Sequence, residues 1–419
     1  MNISNAISWE SARDLSRRLV FAHIRRYRRT SRTEIARATG LSKATVSSII
    51  AEFVAAGLVQ ETVNQNVSVG RPRVALELVP DAYLLAGAEV ADDVCRVLLT
   101  DLYAKPLVKV TRPVSDTGFR SMLKLFEEVV REVTVGIDTS RVLGLGVAVP
   151  AQVHPPSGLV IFSISLKWRN LPLGQELSQR LGWPTAIIGR GHAAAWGEAS
   201  CGAGQGTVNL SYVRLGSGVG AGLVLNGQLY LGKAFLAADL GHFIVQPGGR
   251  LCGCGNRGCL ETVASIDAFL NRTRQLLRRS PENPLWQDIE GDLNRLTLEQ
   301  AIAAVGSGNR VVLQALTEIG HWLGRALAST VNLLNLDMII IGGPLAQAGE
   351  MLLGPLRDEL ARRALPLHVV QTKVVLSDLR EDAPAIGAAS LILHELTAPA
   401  RLLTPLQLPT DGAGVFRRR

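Results

Sequence analysis

Three cysteines and one histidine stand close together in the middle of this chain, and they restrict how it can fold more than any other feature. Cys252, Cys254 and Cys259 follow the pattern Cys-x-Cys-x4-Cys, and His242 lies ten residues before the first of them. Three sulfur ligands and one nitrogen ligand suit a closed, tetrahedral structural Zn²⁺ site. The alternative is a cluster of buried or redox-active thiols. Because the intervening glycines allow the tight turns that chelation requires, the sequence predicts a structural zinc site.

The same segment carries a family resemblance. Gly241-His242, followed by Cys252-Gly-Cys254-Gly-Asn-Arg-Gly-Cys259-Leu-Glu261, is very similar to the signature of the ROK family. That family contains bacterial sugar kinases and sugar-responsive repressors. The resemblance implies an α/β body of actin-like, hexokinase-like fold with two lobes around a cleft. It also implies that His242 binds zinc beside the sugar.

Composition places the chain among ordinary globular proteins. Its 419 residues are 47% hydrophobic and 19% charged, which suffices for two or three domains with buried cores. There is no apolar signal segment and no run near the ~18 apolar residues of a membrane span. We therefore expect a cytoplasmic protein with reduced thiols and no membrane partner.

Positive charge is concentrated at the N-terminus. Residues 1–82 hold twelve Lys and Arg against seven Asp and Glu, which is +5 of the net charge of +8. We expect a polyanion to bind this segment.

The pattern of residues 1–82 predicts three helices and a β-hairpin. Apolar residues recur at near-helical spacing from Trp9 to Arg29, and Gly40 then separates two shorter helices. This arrangement predicts a helix-turn-helix whose last helix enters the DNA major groove. A plain helical hairpin is the alternative, which the basic surroundings disfavour. The predicted DNA contacts of this motif are Thr33, Ser42, Lys43, Thr45 and Ser48.

A basic turn follows the third helix. Two alternating segments, 58–63 and 74–79, predict the strands of a hairpin, with Val69-Gly-Arg71-Pro-Arg73 between them. Arg71 and Arg73 suit the narrow, electronegative minor groove of A·T-rich DNA. A solvated cationic turn is the alternative. The Gly-Arg-Pro sequence is also typical of the wing in ROK repressors, so we expect a winged helix-turn-helix domain over residues 1–82.

The remaining residues are expected to form the two lobes. We assign residues 83–197 to the first lobe, completed by about 378–396, and residues 198–377 to the second lobe with the zinc segment. Residues 398–419 lack periodicity and are expected to be a loose tail. One helix-turn-helix reads a short half-site, so we expect a homodimer on a palindromic double-stranded operator. The family resemblance implies dimers or tetramers.

The chain departs from the kinase pattern where the resemblance would place the catalytic groups. Residues 188–198 align with the family's Glu-Asn-Asp-Ala-Asn-Ala-Ala-Ala-Leu-Gly-Glu, which puts Arg190 at the catalytic Asp. That Asp accepts the proton of the attacking sugar hydroxyl, and a protonated guanidinium cannot. The turn after Glu89 also lacks the glycines that would hold ATP phosphates. We therefore expect no kinase activity. A sugar kinase with an N-terminal DNA-binding appendage is the alternative.

The resemblance also indicates residues that could bind an effector in place of a substrate. Two interpretations of Arg190 are open: it binds an anionic sugar acid or sugar phosphate, or it pairs with Asp239 or Glu261 and fills the cleft. The sequence predicts a DNA-binding transcriptional regulator, a repressor of carbohydrate-related genes, with an inactive kinase-like domain as its sensor. The predicted effector-binding set is Ser165, Arg190, His192, Asp239, His242 and Glu261.

Overall fold

The computed structural model describes residues 12–63 and 74–397, and these form two compact units. The smaller unit comprises the described residues up to Val79 and those from His394 onward, and the larger one is Pro80–Leu393. The predicted wing residues Arg71 and Arg73 lie outside the described residues. None of the helices within the described ranges has the length and apolar character needed to cross a membrane.

The smaller unit contains three helices followed by a hairpin. Its elements are α1 (Ala12–Tyr27), α2 (Arg32–Thr39), α3 (Lys43–Ala55), β1 (Val59–Val63) and β2 (Val74–Leu78). The two strands are antiparallel, with Val59 opposite Leu78. Apolar side chains from all five elements form one core, because the periodic apolar positions of each helix face the others and the hairpin. The most buried of these are Val20, Ile24, Ile35, Val46, Ile49, Ile50, Val59, Leu76 and Leu78.

Local capping explains where α2 and α3 begin and end. The Glu34 N–H donates to Ser31 Oγ (3.3 Å) and the Ser31 N–H donates to the Glu34 carboxylate (2.8 Å), which is a capping box. Gly40 ends α2 at a φ of 72°, a backbone conformation that glycine adopts without a steric penalty. Ser42 Oγ then accepts from the Thr45 N–H (3.1 Å) and starts α3. The sharp turn between the two helices is therefore specified locally.

The larger unit begins with a five-stranded sheet and its helices. The first three strands of this sheet are antiparallel neighbours in chain order, and its last two strands are parallel to the first. Its elements in chain order are β3 (Leu84–Val90), β4 (Val94–Thr100), β5 (Pro106–Pro113), α4 (Phe119–Val133), β6 (Val142–Val149), β7 (Gln152–His154), β8 (Leu159–Ser163), β9 (Trp168–Leu171), α5 (Leu173–Leu181), β10 (Thr185–Gly189) and α6 (Arg190–Cys201). The sheet has the strand order β10-β6-β3-β4-β5, and β7, β8 and β9 form a small separate sheet.

A second five-stranded sheet follows, with the order β13-β12-β11-β14-β15. One helix of this half is long, and Gly320 and Gly324 let it pack closely against the backbone of a neighbouring helix. The elements in chain order are β11 (Leu210–Leu215), β12 (Val219–Leu225), β13 (Gln228–Tyr230), α7 (Glu261–Ala264), α8 (Ile266–Leu277), α9 (Pro284–Asp288), α10 (Leu298–Gly306), α11 (Arg310–Leu334), β14 (Met338–Gly342), α12 (Glu350–Arg363), α13 (Pro366–Gln371), β15 (Lys373–Leu376) and α14 (Ala383–Thr397).

Helices α6 and α14 lie between the two sheets and contact each other at glycines. A Cβ on Gly387 would come within 1.8 Å of the Ala193 carbonyl oxygen, and one on Gly146 within 1.9 Å of the Ala388 carbonyl oxygen. Such distances leave no room for a side chain, so the last helix packs directly on the first sheet and on α6. This packing fixes the start of α6, which carries Arg190, at the cleft between the lobes.

Candidate zinc centre, effector cleft and DNA-binding surface

The structure brings the four predicted zinc ligands together. The ligand atoms of His242, Cys252, Cys254 and Cys259 all lie within 4.8 Å of one another. The Cys254 and Cys259 sulfurs are 3.7 Å apart, as are Cys252 Sγ and His242 Nδ1. Two thiolates bound at about 2.3 Å to a tetrahedral Zn²⁺ would lie about 3.8 Å apart. The cluster therefore has the composition and size of a metal site.

Two glycines with positive φ shape the loop that carries the thiols. Gly255 has a φ of 92° and Gly258 a φ of 77°, and the Val245 N–H donates to the Gly258 carbonyl (2.9 Å). A Cβ on Gly258 would come within 1.7 Å of the Gln246 carbonyl oxygen, whereas one on Gly255 would meet no atom within 4 Å. Close approach of the backbone at Gly258 therefore positions Cys259.

This difference predicts unequal effects of two alanine substitutions. We expect Gly258→Ala to lower the free energy of unfolding by at least about 3 kcal/mol, because the Cβ clashes with backbone. Gly255→Ala should cost only about 1 kcal/mol, the strain of a left-handed residue. Equilibrium urea unfolding of the two zinc-loaded variants measures both values. Equal losses would show that the close approach at Gly258 does not hold the loop.

The thiols differ in their acidity. Burial raises the pKa of Cys259 to about 12 and also raises that of Cys252. Burial acts in the same direction on Cys254, but the Asn256 backbone and the two other thiols lower its pKa overall. Thiols bind zinc as thiolates, so occupation of this site by zinc would release protons.

Glu261 connects the metal cluster to the cleft. One carboxylate oxygen lies 3.7 Å from Cys252 Sγ, and the other accepts from the Val219 N–H at the start of β12 (3.2 Å). A Cβ on Gly218 would come within 2.4 Å of that second oxygen. The glycine therefore leaves room for a carboxylate that fixes the β11–β12 turn relative to the metal loop.

The other predicted effector residues lie on both sides of the cleft. Asp239 accepts a long hydrogen bond from Gln152 (3.4 Å), which lies in β7. Partial desolvation raises the pKa of Asp239, and His242 opposes this shift. Ser165 is exposed, and its neighbour Ile164 lies 3.9 Å from the Cβ position of Gly253 in the metal loop. The predicted effector residue Ser165 thus lies in a segment that contacts the metal loop.

His192 is a buried neutral histidine at the start of α6. It is 9% exposed, and burial lowers its pKa to about 4 while the Ala237 backbone opposes the shift. Its Nε2 has no hydrogen-bond partner among the described residues. The imidazole is therefore uncharged at neutral pH, and its Nε2 could form a hydrogen bond with an uncharged group of a ligand.

Arg190 pairs with a carboxylate that we did not predict as its partner. Its guanidinium is 13% exposed and lies 3.6 Å from Glu89, so the interpretation in which it pairs with Asp239 or Glu261 is wrong. Burial and, to a smaller extent, the nearby Arg214 lower the pKa of Arg190 to about 10, and Glu89 opposes this shift. Arg190 still carries its charge at neutral pH. Glu89 and Arg190 lie far apart in the sequence, so the tertiary structure decides this pairing and no local pattern encodes it.

The predicted DNA contacts lie on the outer face of the helix-turn-helix. Thr33, Ser42, Lys43 and Ser48 are exposed and Thr45 is half-buried. The Ser42 and Thr45 hydroxyls lie 2.8 Å apart. Ser42 Oγ caps α3 and also bonds the Thr45 hydroxyl, so both hydroxyls already have a partner in the free protein before any contact to DNA.

Comparison with known proteins agrees with this arrangement. Residues 93–395 match the ROK family. The chain belongs to the ROK family. Residues 14–66 match the MarR family of winged helix proteins. These matches confirm the predicted fold, an actin-like two-lobed α/β body with an N-terminal winged helix domain.

Repressors and kinases both occur among the ROK relatives of this chain. A xylose repressor of Caldicellulosiruptor bescii is 28% identical over 371 residues, which covers 87% of this chain and 92% of the repressor. A glucokinase of Thermotoga maritima is 33% identical over 314 residues, covering 74% of this chain and 98% of the glucokinase. The crystal structure of a ROK family transcriptional regulator, a homolog of the E. coli MLC protein, has a TM-score of 0.76 and 27% identity, covering 88% of this chain and 92% of that one.

Sequence reasoning missed two residues that lie near the predicted effector residues. Gln152, which contacts Asp239, stands in no motif. Arg214 is the one charged residue of β11 and precedes the glycine-rich turn 216–222, which was a usable signal.

Proposed function

We propose that this protein is a DNA-binding transcriptional regulator, a repressor of carbohydrate-related genes, with a ROK body that senses an effector. The observation that carries this proposal is the presence of both parts in one chain, the winged helix domain at residues 14–66 and the ROK body at 93–395. The xylose repressor is matched over 92% of its own length. The glucokinase matches only 74% of this chain, which leaves the N-terminal domain without a role in a kinase.

DNA recognition is assigned to the exposed face of α3 and to the wing. Lys43, Ser42 and Ser48 would reach base edges and phosphates in the major groove, supported by Thr33 and Thr45. Arg71 and Arg73 would enter the adjacent minor groove. Two copies of the chain would bind the two halves of a palindromic operator, so we infer a homodimer or a larger even assembly.

The metal cluster is assigned to structural Zn²⁺. His242, Cys252, Cys254 and Cys259 would occupy all four positions of a tetrahedral ion and leave none for substrate. The ion would supply folding energy to the loop 242–261, and with it the position of Glu261.

Phosphoryl transfer lacks its proton acceptor in this chain. Arg190 stands where the family resemblance puts the catalytic Asp, and it carries its charge at neutral pH. Glu89 is unavailable as a replacement, because Arg96 donates to it at 2.7 Å and both side chains are buried. We therefore infer that the ROK body is a sensor. Phosphorylation of any sugar by the purified protein would reverse this assignment.

The effector is expected to bind in the cleft and to favour one arrangement of the lobes. Asp239, Glu261 and His242 offer acceptors for sugar hydroxyls, with His192 and Ser165 at the edges of the same region. A ligand that binds one lobe arrangement better than another shifts the population toward it, which is how binding in the body would alter DNA affinity.

Selection of genomic DNA fragments tests the function. We expect the purified protein to enrich a roughly palindromic site from its source genome at physiological salt. The double variant Arg71→Ala, Arg73→Ala should lose most of that enrichment at matched salt, because it removes the minor-groove cations. Equal recovery of all fragments by the wild type, with and without candidate sugars, would contradict the assignment as a DNA-binding regulator.

A further inference from the structure

A cavity of about 410 Å³ lies in the second lobe, outside the predicted effector set. None of the described residues that line it belongs to that set. Its walls come from the metal loop 242–261, from α7 and from the facing sides of α8 and α11. Sites for small molecules usually enclose about 300–1,000 Å³. The cavity is therefore large enough to hold a ligand of its own.

The two long walls of the cavity are single helix faces. Ala268, Asn271 and Gln275 of α8 stand three and four residues apart, so they lie on one side of that helix. Ile319 and Trp322 of α11 are likewise three residues apart and face them. The lining of this cavity is thus specified by helical periodicity within each helix, and the packing of α8 on α11 brings the two faces together.

The α11 wall is apolar and flat. Trp322 is half-buried and Ile319 is buried, and Val263 of α7 adjoins them in the lining. The Arg325 guanidinium lies 4.6 Å from the centre of the Trp322 ring, and this contact stabilises the orientation of the indole. Aromatic rings stack on or pack edgewise against such a surface. A planar apolar group is therefore suited to this wall.

One positive charge in the lining has no counterion. Arg272 donates from Nε to one oxygen of Glu318 (2.6 Å) and from Nη2 to the other (2.7 Å), so these two charges neutralise each other. Arg250 of the metal loop is exposed, and its side chain forms no ion pair or hydrogen bond with residues 12–63 and 74–397. A guanidinium binds a carboxylate or a phosphate through two parallel hydrogen bonds. The charge of the lining therefore favours an anion.

Two carboxamides on α8 add donors to the same lining. The Asn271 oxygen accepts from Arg274 (3.1 Å) and the Gln275 oxygen accepts from Arg272 (3.3 Å). Their NH₂ groups remain as donors. An anion or a hydroxyl oxygen can accept from these groups, whereas a cation cannot.

We propose that this cavity is a second ligand site, which binds a small amphipathic anion. Its carboxylate or phosphate lies at Arg250, and its planar apolar part lies against Trp322 and Ile319. The proposal does not depend on DNA binding or on an effector in the cleft. A ligand in this position contacts the metal loop, α8 and α11 at once, so its binding stabilises their relative positions.

Ligand-observed NMR with three probes tests the two parts of the site separately. We expect 2-naphthoate to bind the wild type about three- to tenfold more tightly than the uncharged 2-naphthamide, because only the carboxylate makes a charge-assisted contact. Acetate, which lacks the planar part, should show no measurable binding. Replacing 2-naphthoate by 2-naphthyl phosphate then shows which anionic group the site prefers.

Two variants and one control connect these affinities to the residues. Arg250→Gln should remove the preference for 2-naphthoate and leave the affinity for 2-naphthamide within about twofold of the wild type, because only a charge is lost. Trp322→Leu should weaken both naphthyl probes about tenfold, because the planar wall is lost. Arg279→Gln changes an exposed arginine outside the lining and should alter neither affinity.

Three results would overturn the proposal. They are a wild type that binds 2-naphthoate no more tightly than 2-naphthamide, a preference for 2-naphthoate that persists in Arg250→Gln, and naphthyl affinities that stay unchanged in Trp322→Leu. Melting temperatures of all variants are measured alongside. If Trp322→Leu does not fold, Arg250→Gln decides the test, because Arg250 is exposed and its replacement leaves the core intact.

Discussion

Loss of one zinc ligand is expected to destabilise the body of this protein severely. We predict that Cys259→Ser lowers the free energy of unfolding by about 3–5 kcal/mol and abolishes stoichiometric zinc, because a structural zinc site contributes its binding energy to folding. Burial of apolar side chains adds little to the stability of the loop, since Phe243, Ile244 and Leu251 are 45%, 57% and 59% exposed. Metal content by mass spectrometry and thermal unfolding before and after a chelator measure both effects.

Cys201→Ser is the matched control for the zinc prediction. Cys201 lies in α6 and bonds the Gly197 carbonyl, and a serine hydroxyl can make the same bond. We expect unchanged zinc content and less than about 1 kcal/mol of destabilisation in this variant. A Cys259→Ser protein that unfolds like the wild type, with or without chelator, would mean that the cluster is not a structural metal site.

Reversing one charge on the recognition helix is expected to abolish operator binding. We predict that Lys43→Glu weakens operator affinity about 100-fold or more, because each of two half-sites loses a cation and gains a carboxylate facing phosphate. Lys43 is exposed at the start of α3 and forms no ion pair within the described residues. The fold should therefore be unaffected. Fluorescence anisotropy across a series of salt concentrations gives the affinity and its salt dependence.

Lys233→Glu is the control that distinguishes a direct contact of Lys43 with DNA from an effect of the protein's net charge. Lys233 is an exposed lysine of the ROK body, so this variant changes the net charge of the chain by the same amount. We expect operator affinity within about twofold of the wild type, because the proposed DNA contacts all belong to the winged helix domain and a charge that does not contact DNA is largely screened by salt. Equal losses in the two variants would show that binding follows overall charge and not the proposed face of α3.

Local sequence patterns were sufficient to predict the helix-turn-helix and the cluster of metal-binding residues. The four metal-binding residues lie within 18 positions of one another in the sequence, and spacing on that scale fixes which side chains a short loop can bring together. The helix-turn-helix was equally local, because Gly40 and the Ser42 cap specify the turn. The family resemblance added the two-lobed body, which no spacing in this chain would have given.

Only the tertiary structure decided what surrounds Arg190 and the cleft. Its partner Glu89 belongs to a strand of the first sheet, and Arg214 faces Gly220 through strand pairing in the second sheet. Trp168, three residues after Ser165, is buried, and its indole N–H donates to the Thr117 carbonyl at 2.8 Å. The sequence determined which residues carry charge and metal-binding atoms. Which of them meet depends on how helices α6 and α14 pack between the sheets, because contacts between residues far apart in the chain form only when the lobes assemble.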